Sequence, residues 1–106
     1  MVSVPDVWQV EYLPEAAADF DSLDHSQQLL VAKAIDKVAQ NPLPQAEGGY
    51  GKPLRSPLTG LLKIKLRGAG LRVVYKLERI DSRMLIVVIS IRDDGVVYDL
   101  AAKRNK

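Results

Sequence analysis

Alternation of apolar and polar residues begins the chain and dominates its second half. Residues 8–12 alternate and predict a first strand. Leu61–Arg67 and Leu71–Glu78 alternate in the same way, and the intervening Gly68–Gly70 predicts a tight hairpin between them. Arg83–Ile91 is apolar over most of its length, which is typical of a strand buried on both faces. We therefore expect this last strand to lie centrally in the sheet.

A period of 3.6 residues replaces the alternation between residues 15 and 40. Glu15–Leu23 is Ala-rich and predicts a short helix. Asp24 and Gln27 have the spacing of a capping box, so a longer helix should begin there, and Asn41-Pro42 should end it. Residues 42–60 are rich in Pro and Gly and predict a connecting loop.

The order of these elements defines a fold class. Asp93-Asp94-Gly95 predicts a turn, and Val96–Lys106 predicts a short terminal helix or tail. The order is β-α-α-β-β-β followed by a short C-terminal helix, and we expect one domain over residues 1–106. We predict an α+β fold in which a helical hairpin packs on one face of a mostly antiparallel four-stranded sheet. The opposite face should then be open.

Composition excludes several classes of function. The chain has no cysteine and one histidine, which excludes disulfides, thiolate nucleophiles and metal sites built from Cys or several His. We predict no metal and no cofactor. No apolar run approaches the roughly 18 residues of a membrane span, and the N-terminus lacks the pattern of a signal peptide. We therefore expect a cytoplasmic protein with no membrane partner.

Charge is distributed unevenly along the chain. The formal net charge is only +2, but residues 1–51 hold two basic and eight acidic residues, a net charge of −6. Residues 52–106 hold thirteen basic and five acidic residues, a net charge of +8. Such asymmetry indicates a nucleic acid or acidic partner, or else two halves that pair with each other across the fold. Charge alone leaves both interpretations open.

The basic residues of the predicted hairpin share one face. Alternation places Lys63, Lys65 and Arg67 together on the first strand, and Arg72 and Lys76 join them from the second. A row of cations on a rigid sheet is suited to phosphate. The alternative is the solvated face of an edge strand, where lysine discourages aggregation.

Several of these motifs, in this order, resemble a known family. They are the K-I-K-L-R strand ending at Arg67, the G-x-R-x-x-Y pattern at Gly70–Tyr75, the strand Val88–Ile91, and Val97-Tyr98 followed by a basic tail. The chain is similar, from about Trp8 to Arg104, to the RelE/ParE superfamily of bacterial toxins. RelE-like members are endoribonucleases that cleave messenger RNA in the ribosomal decoding (A) site. ParE-like members inhibit DNA gyrase and generally lack the catalytic basic residues.

The resemblance implies roles for individual residues and favours the RelE-like branch. Its catalytic set corresponds to Lys63, Lys65, Arg72, Arg92 and Tyr98. The residues expected to bind RNA phosphates are Arg67, Lys76, Lys103 and Arg104. The loop Arg92–Gly95 is two residues shorter than in RelE and is acidic where the family is usually basic, so Arg92 is the only candidate for the loop arginine.

RNA cleavage by its own 2′-hydroxyl requires a base, stabilisation of the phosphorane charge and an acid for the 5′-oxygen. Crowded cations favour loss of a proton from a lysine, so Lys63 or Lys65 could be the base, with Tyr98 as the rival. Arg72 would brace the phosphate and Arg92 would serve the leaving group. This chemistry needs no metal ion.

The resemblance also implies partners. They are a cognate antitoxin protein, the ribosome and messenger RNA, with operator DNA contacted only through the antitoxin. The main alternative is a ParE-like toxin that inhibits DNA gyrase by protein binding without RNA cleavage. A third is a nucleic-acid-binding module without chemistry. Structural roles also stay open for two residues: Arg72 as an ion-pair partner of a carboxylate from the first half, and Tyr98 as a packing residue.

Overall fold

The computed structural model describes residues 8–56, 58–91 and 94–105 and has the element order β-α-α-β-β-β-β-α. The elements are β1 (Gln9–Tyr12), α1 (Pro14–Asp21), α2 (His25–Ala39), β2 (Lys52–Pro53), β3 (Leu61–Leu66), β4 (Leu71–Glu78), β5 (Arg83–Ser90) and α3 (Asp94–Arg104). The α+β class, the helical hairpin and the C-terminal helix are confirmed. Within the described residues, no helix is long and apolar enough to cross a membrane.

Both helices of the hairpin begin where local chemistry favours it. Pro14 is the first residue of α1, where its missing N–H costs no hydrogen bond. At α2, the Asp24 carboxylate accepts from the Gln27 backbone N–H at 2.8 Å, and the Gln27 side chain accepts from the Asp24 N–H at 3.0 Å. This reciprocal pair confirms the capping box.

In the part of the chain that the structure describes, the sheet has five strands in the order β1-β5-β4-β3-β2, with β1 parallel to β5 and all other pairs antiparallel. β5 lies inside the sheet as predicted, between β1 and β4, although β4 occupies the middle position. The predicted count of four is one too low, because Lys52 and Pro53 pair with Lys63 and Leu62 from inside the segment predicted to be a loop. Two residues are too few to show a period, so the pattern could not reveal this strand.

The hairpin connection also differs from its prediction. β3 ends at Leu66, and residues 67–69 form a 3₁₀ turn, so Arg67 does not lie on the strand. Gly70 follows in the left-handed conformation with φ of 67°, which glycine adopts without steric cost. The chain can therefore reverse directly into β4.

One face of the sheet is buried by α1 and α2. Val31 and Ile35 of α2 pack with Val73, Tyr75 and Ile86, all at most 2% exposed. The Tyr75 hydroxyl donates a hydrogen bond to the Pro42 carbonyl at 2.8 Å, and burial raises the pKa of Tyr75. This apolar layer is the larger part of the core.

The opposite face is not open, and the expectation that it would be is wrong. Val97 and Ala101 of α3, both fully buried, pack there with Leu61, Val74 and Val88. The predicted turn at Asp93-Asp94-Gly95 is wrong for its last two residues, which lie in the first turn of α3; Asp93 lies outside the described residues. The sheet is thus a middle layer between the hairpin and α3.

An ion pair closes the part of the β5 edge that β1 leaves uncovered. β1 pairs with Arg83–Ile86 only. Beyond it, an Asp19 carboxylate oxygen accepts from the Ile89 N–H at 3.0 Å, and the Arg104 guanidinium donates to the Val87 carbonyl at 3.0 Å. Arg104 and Asp19 contact each other at 2.6 Å with side chains 15% and 20% exposed. The pair therefore bonds backbone groups of β5 that a neighbouring strand would otherwise bond, and it connects α3 to α1.

The charge asymmetry has two outcomes in the fold. Among the described residues, three ion pairs join the basic half to the acidic half: Arg79 with Glu47, Arg83 with Glu11, and Arg104 with Asp19. This cross-pairing supports the structural interpretation of the asymmetry for those residues. Lys65 and Arg72 of the β3–β4 hairpin instead pair with Asp94, which belongs to the same basic half of the chain.

Candidate functional site

The antiparallel register of β3 and β4 brings together three of the four cations predicted to be catalytic. Lys65 lies directly opposite Arg72, and Lys63 lies opposite Val74. Opposite residues project to the same face of a sheet, and Val74 packs against α3. Lys63, Lys65 and Arg72 therefore share the face that α3 crosses; we call these three residues the basic face.

A single carboxylate bridges two of these cations. Lys65 Nζ donates to Asp94 Oδ2 at 2.9 Å, and Arg72 Nε donates to Asp94 Oδ1. The side chains are 25% exposed at Lys65, 26% at Arg72 and 38% at Asp94. Since Arg72 was expected to pair, if at all, with a carboxylate of the first half, Asp94 is a different partner from the one predicted.

Lys63 contacts Tyr98 in two ways. Its ammonium donates to the Tyr98 hydroxyl at 3.2 Å and lies 5.8 Å from the centre of the ring. Tyr98 is partly buried and contacts the smaller apolar cluster. It is therefore both a packing residue and a polar group presented to the basic face.

The spacing of α3 matches the spacing of β3. Asp94 and Tyr98 lie four residues apart on the helix, a rise of about 6 Å, and Lys65 and Lys63 lie two residues apart on the strand, about 6.7 Å. Asp94 can therefore contact Lys65 while Tyr98, one helical turn later, contacts Lys63. Lys76 Nζ and Asn105 Oδ1, 3.5 Å apart, add a longer contact at the far end.

The cations determine the charge state of Asp94. Hydrogen bonding from Lys65 is the largest cause that lowers the pKa of the Asp94 carboxyl; hydrogen bonding and charge from Arg72 add to it and outweigh the opposing effect of burial. Asp94 is therefore ionised at neutral pH. The basic face consequently holds an oxyanion between an ammonium and a guanidinium, a donor set suited to phosphate.

Surface depressions border this bridge in the described part of the chain. A cleft of about 420 Å³ lies beside Lys63 and Tyr98. Its other walls include Leu54, Arg55, Ser56, Leu58, Asp99 and Ala102. A smaller depression of about 250 Å³ is lined by Lys65, Arg67, Gly70 and Arg72 among others. Arg67 therefore stays beside the basic face although it has left the strand.

The structure does not bring every predicted phosphate-binding residue to this site. Arg104 lies at the β5 edge, separated from β3 by β4, and its guanidinium is engaged by Asp19 and Val87. Arg104 therefore has a structural role at the β5 edge, and its predicted contact with RNA phosphate stays a prediction. Lys103 is exposed near the end of α3, Lys76 lies at the Asn105 end, and Arg92 lies outside the described residues.

Asp94 is the residue of this site that the sequence prediction missed. Its signal was the acidic Asp93-Asp94-Gly95 segment, which the sequence analysis noted as a departure from the pattern of the family that the chain resembles. The pattern identified that departure but could not place the carboxylate between Lys65 and Arg72. Within ranges 8–56, 58–91 and 94–105, no group of three or more His, Cys, Asp or Glu side chains could hold a metal ion.

This chain is similar to known proteins in sequence and in fold. No protein-family model matches the chain. A relative from Escherichia coli, described as a RelE-like toxin protein, is 34% identical over 100 residues, covering 92% of this chain and 96% of the relative.

Solved structures share the fold, among them those of two bacterial toxins. A free mutant of Escherichia coli toxin RelE superposes with a TM-score of 0.76 at 23% identity, covering 92% of this chain and 97% of RelE. The Mycobacterium tuberculosis toxin–antitoxin complex RelBE2 gives 0.67 at 23% identity, covering 81% of this chain and 99% of the matched chain. These structures show the fold, and the E. coli relative, at 34% identity over 92% of this chain, establishes that the chain belongs to the RelE-like toxin family.

Proposed function

We propose that this toxin cleaves messenger RNA in the ribosomal decoding site by attack of the RNA's own 2′-hydroxyl. The observation that carries the proposal is the bridge at the basic face, where Lys65 and Arg72 together hold one carboxylate oxyanion. A carboxylate and a phosphodiester present similar oxygens to such donors. The scissile phosphate would bind where the Asp94 carboxylate now lies.

The proposed step forms one bond and breaks another at phosphorus. The 2′-oxygen attacks while its proton passes to a base, and the phosphorane carries the added negative charge. The P–O5′ bond then breaks, the 5′-oxygen takes a proton, and the products are a 2′,3′-cyclic phosphate and a 5′-hydroxyl. Arg72 stays charged throughout and stabilises the phosphorane, a role worth about 10²–10³ in rate for one donor.

Lys63 and Tyr98 are the side chains closest to the acid–base task. Their hydrogen bond would allow a proton to pass directly between the lysine and the phenol, beside the cleft of about 420 Å³. Lys65 shares the task of base with them in our proposal and also binds the phosphate. Arg92 is proposed to serve the leaving group, as the resemblance implies.

The ribosome is proposed to supply the orientation of the RNA. The Lys65 and Arg72 side chains are about one quarter exposed, and these few side chains offer little to fix a flexible single strand. Holding reactants in the reactive geometry is worth several kcal/mol of barrier, on the order of 7–11 in favourable cases. We also propose an antitoxin partner, because the M. tuberculosis relative was solved as a toxin–antitoxin complex.

The test is primer extension on a reporter messenger RNA in a purified translation system. Wild-type protein should generate new RNA ends inside codons at the decoding site. The double substitution Lys65→Ala/Arg72→Ala should reduce the cleavage rate by at least about 10²–10³, because both phosphate donors are lost. Retained circular dichroism and thermal unfolding would show that the fold is intact.

A matched double variant controls for the loss of two positive charges. Lys33 on α2 and Arg79 after β4 are exposed and lie away from the basic face, so Lys33→Ala/Arg79→Ala should cleave at nearly the wild-type rate. Intact messenger RNA under a wild-type protein that still stops growth would refute the proposal. A DNA gyrase supercoiling assay would then test the ParE-like alternative.

A further inference from the structure

We propose that Asp94 is an internal competitor of the RNA phosphate, a carboxylate that fills the phosphate site of the free toxin and must leave before RNA binds. The inference rests on the proposed function for the nature of the ligand, a phosphodiester. It adds a residue that limits access to the site, at a position where the resemblance leads one to expect basic residues.

Geometry makes the two anions mutually exclusive. The Asp94 oxygens use Lys65 Nζ and Arg72 Nε, one oxygen for each cation. Arg72 also directs Nη1 towards the Gly70 carbonyl at 3.4 Å, which holds the guanidinium in place against the hairpin turn. A phosphodiester reaching the same two donors would lie within contact distance of the carboxylate, and two like charges that close repel each other strongly.

Release of Asp94 does not require α3 to unfold. The helix is held further along the chain, by the buried Val97 and Ala101 and by the Arg104–Asp19 ion pair. Asp94 is the first residue of α3, and its side chain is 38% exposed, so rotation towards solvent is available to it. The two cations would then face an incoming phosphate from fixed positions on β3 and β4.

The expected consequence is weak binding of free RNA by the wild-type toxin. A ligand must displace an ion pair before it gains its own, so its apparent affinity is lowered by the coupling between the two anions. A substrate already held in place, as on the ribosome, loses less entropy on binding and competes more effectively. Asp94 would thus bias the toxin against loose RNA.

The test is the affinity of purified toxin for an uncleavable single-stranded oligodeoxynucleotide, measured by titration calorimetry without ribosomes. Asp94→Asn should bind it roughly 5- to 50-fold more tightly than wild type, the range of ordinary coupling between competing ligands. The Arg72 Nε–H signal in ¹⁵N NMR should respond to the oligonucleotide at lower concentration in the variant. The control is Asp36→Asn, an exposed α2 residue that removes the same charge on the opposite side of the sheet.

Each outcome decides the matter. An equal gain in Asp36→Asn would show a general effect of net charge and would overturn the inference. No gain in Asp94→Asn, including undetectable binding by both proteins, would also overturn it, as would weaker binding. If the affinity gain holds while translation assays show no cleavage, only the proposed function fails; if cleavage holds without the gain, only this inference fails.

Discussion

The two faces of the sheet differ in what they contribute. On the face covered by α1 and α2, Val73, Tyr75 and Ile86 are fully buried in a layer of apolar side chains. On the α3 face, a smaller apolar cluster around Val97 lies beside Lys63, Lys65 and Arg72. Because successive strand residues point to opposite faces, the β3–β4 hairpin contributes side chains to both surfaces. Residues of the core and residues proposed to bind phosphate therefore alternate along the same strands.

The largest expected effect on stability tests that separation on neighbouring residues of β3. Ile64 is 9% exposed and packs in the core beneath α1 and α2. Ile64→Ala should lower the free energy of unfolding by about 2–5 kcal/mol, because it removes buried methylene groups and leaves a cavity. Thermal and urea unfolding followed by circular dichroism would measure the change.

The matched variant is Lys65→Ala, one residue further on. Its side chain is about one quarter exposed and its pairing with Asp94 is screened by solvent, so the loss should stay within about 1 kcal/mol. Cleavage activity should show the reverse order, with Lys65→Ala the more damaged. Similar losses of stability in both variants would contradict the separation of the two faces.

Local pattern was sufficient for much of the fold. The alternation of β3 and β4 and the reciprocal bonds of Asp24 and Gln27 depend on residues close in the chain, and sequence therefore predicts them. The parallel pairing of β1 with β5 joins residues more than seventy positions apart, and no pattern within either strand specifies it. β2 was missed because two residues, one of them proline, carry no period.

The candidate site divides in the same way. That Lys63 and Lys65 share a face follows from strand alternation alone. Which element covers that face depends on where α3 packs, and its buried stripe of Val97 and Ala101 is too narrow to predict a side of the sheet. The bridge by Asp94 therefore needed the structure, even though sequence had identified an unusual acidic loop.

A smaller effect is expected where α3 is tied to α1. Arg104→Ala should lower the free energy of unfolding by about 1–3 kcal/mol, since Asp19 loses its charged partner and the Val87 carbonyl loses a donor. Lys103→Ala, at the adjacent exposed position, should change stability by no more than about 0.5 kcal/mol. Chemical denaturation of the two variants side by side gives the comparison. Equal, small changes would show that the Arg104 pair does not hold α3.

The smallest expected effect concerns the pH dependence of the Asp94 bridge. Because the pKa of Asp94 is lowered in the folded protein, the bridge stabilises the fold fully above the unfolded-state value and loses that contribution as pH falls below about 4. With a side chain 38% exposed, the contribution should stay within about 1 kcal/mol. Carboxyl ¹³C NMR should show the Asp94 pKa rising in Lys65→Met, because hydrogen bonding from Lys65 is the largest cause of the shift, and remaining unchanged in Lys33→Met. A titration that Lys65→Met leaves unaltered would mean that Arg72 alone holds the carboxylate, and the site would then present one fixed cation to phosphate where the geometry indicates two.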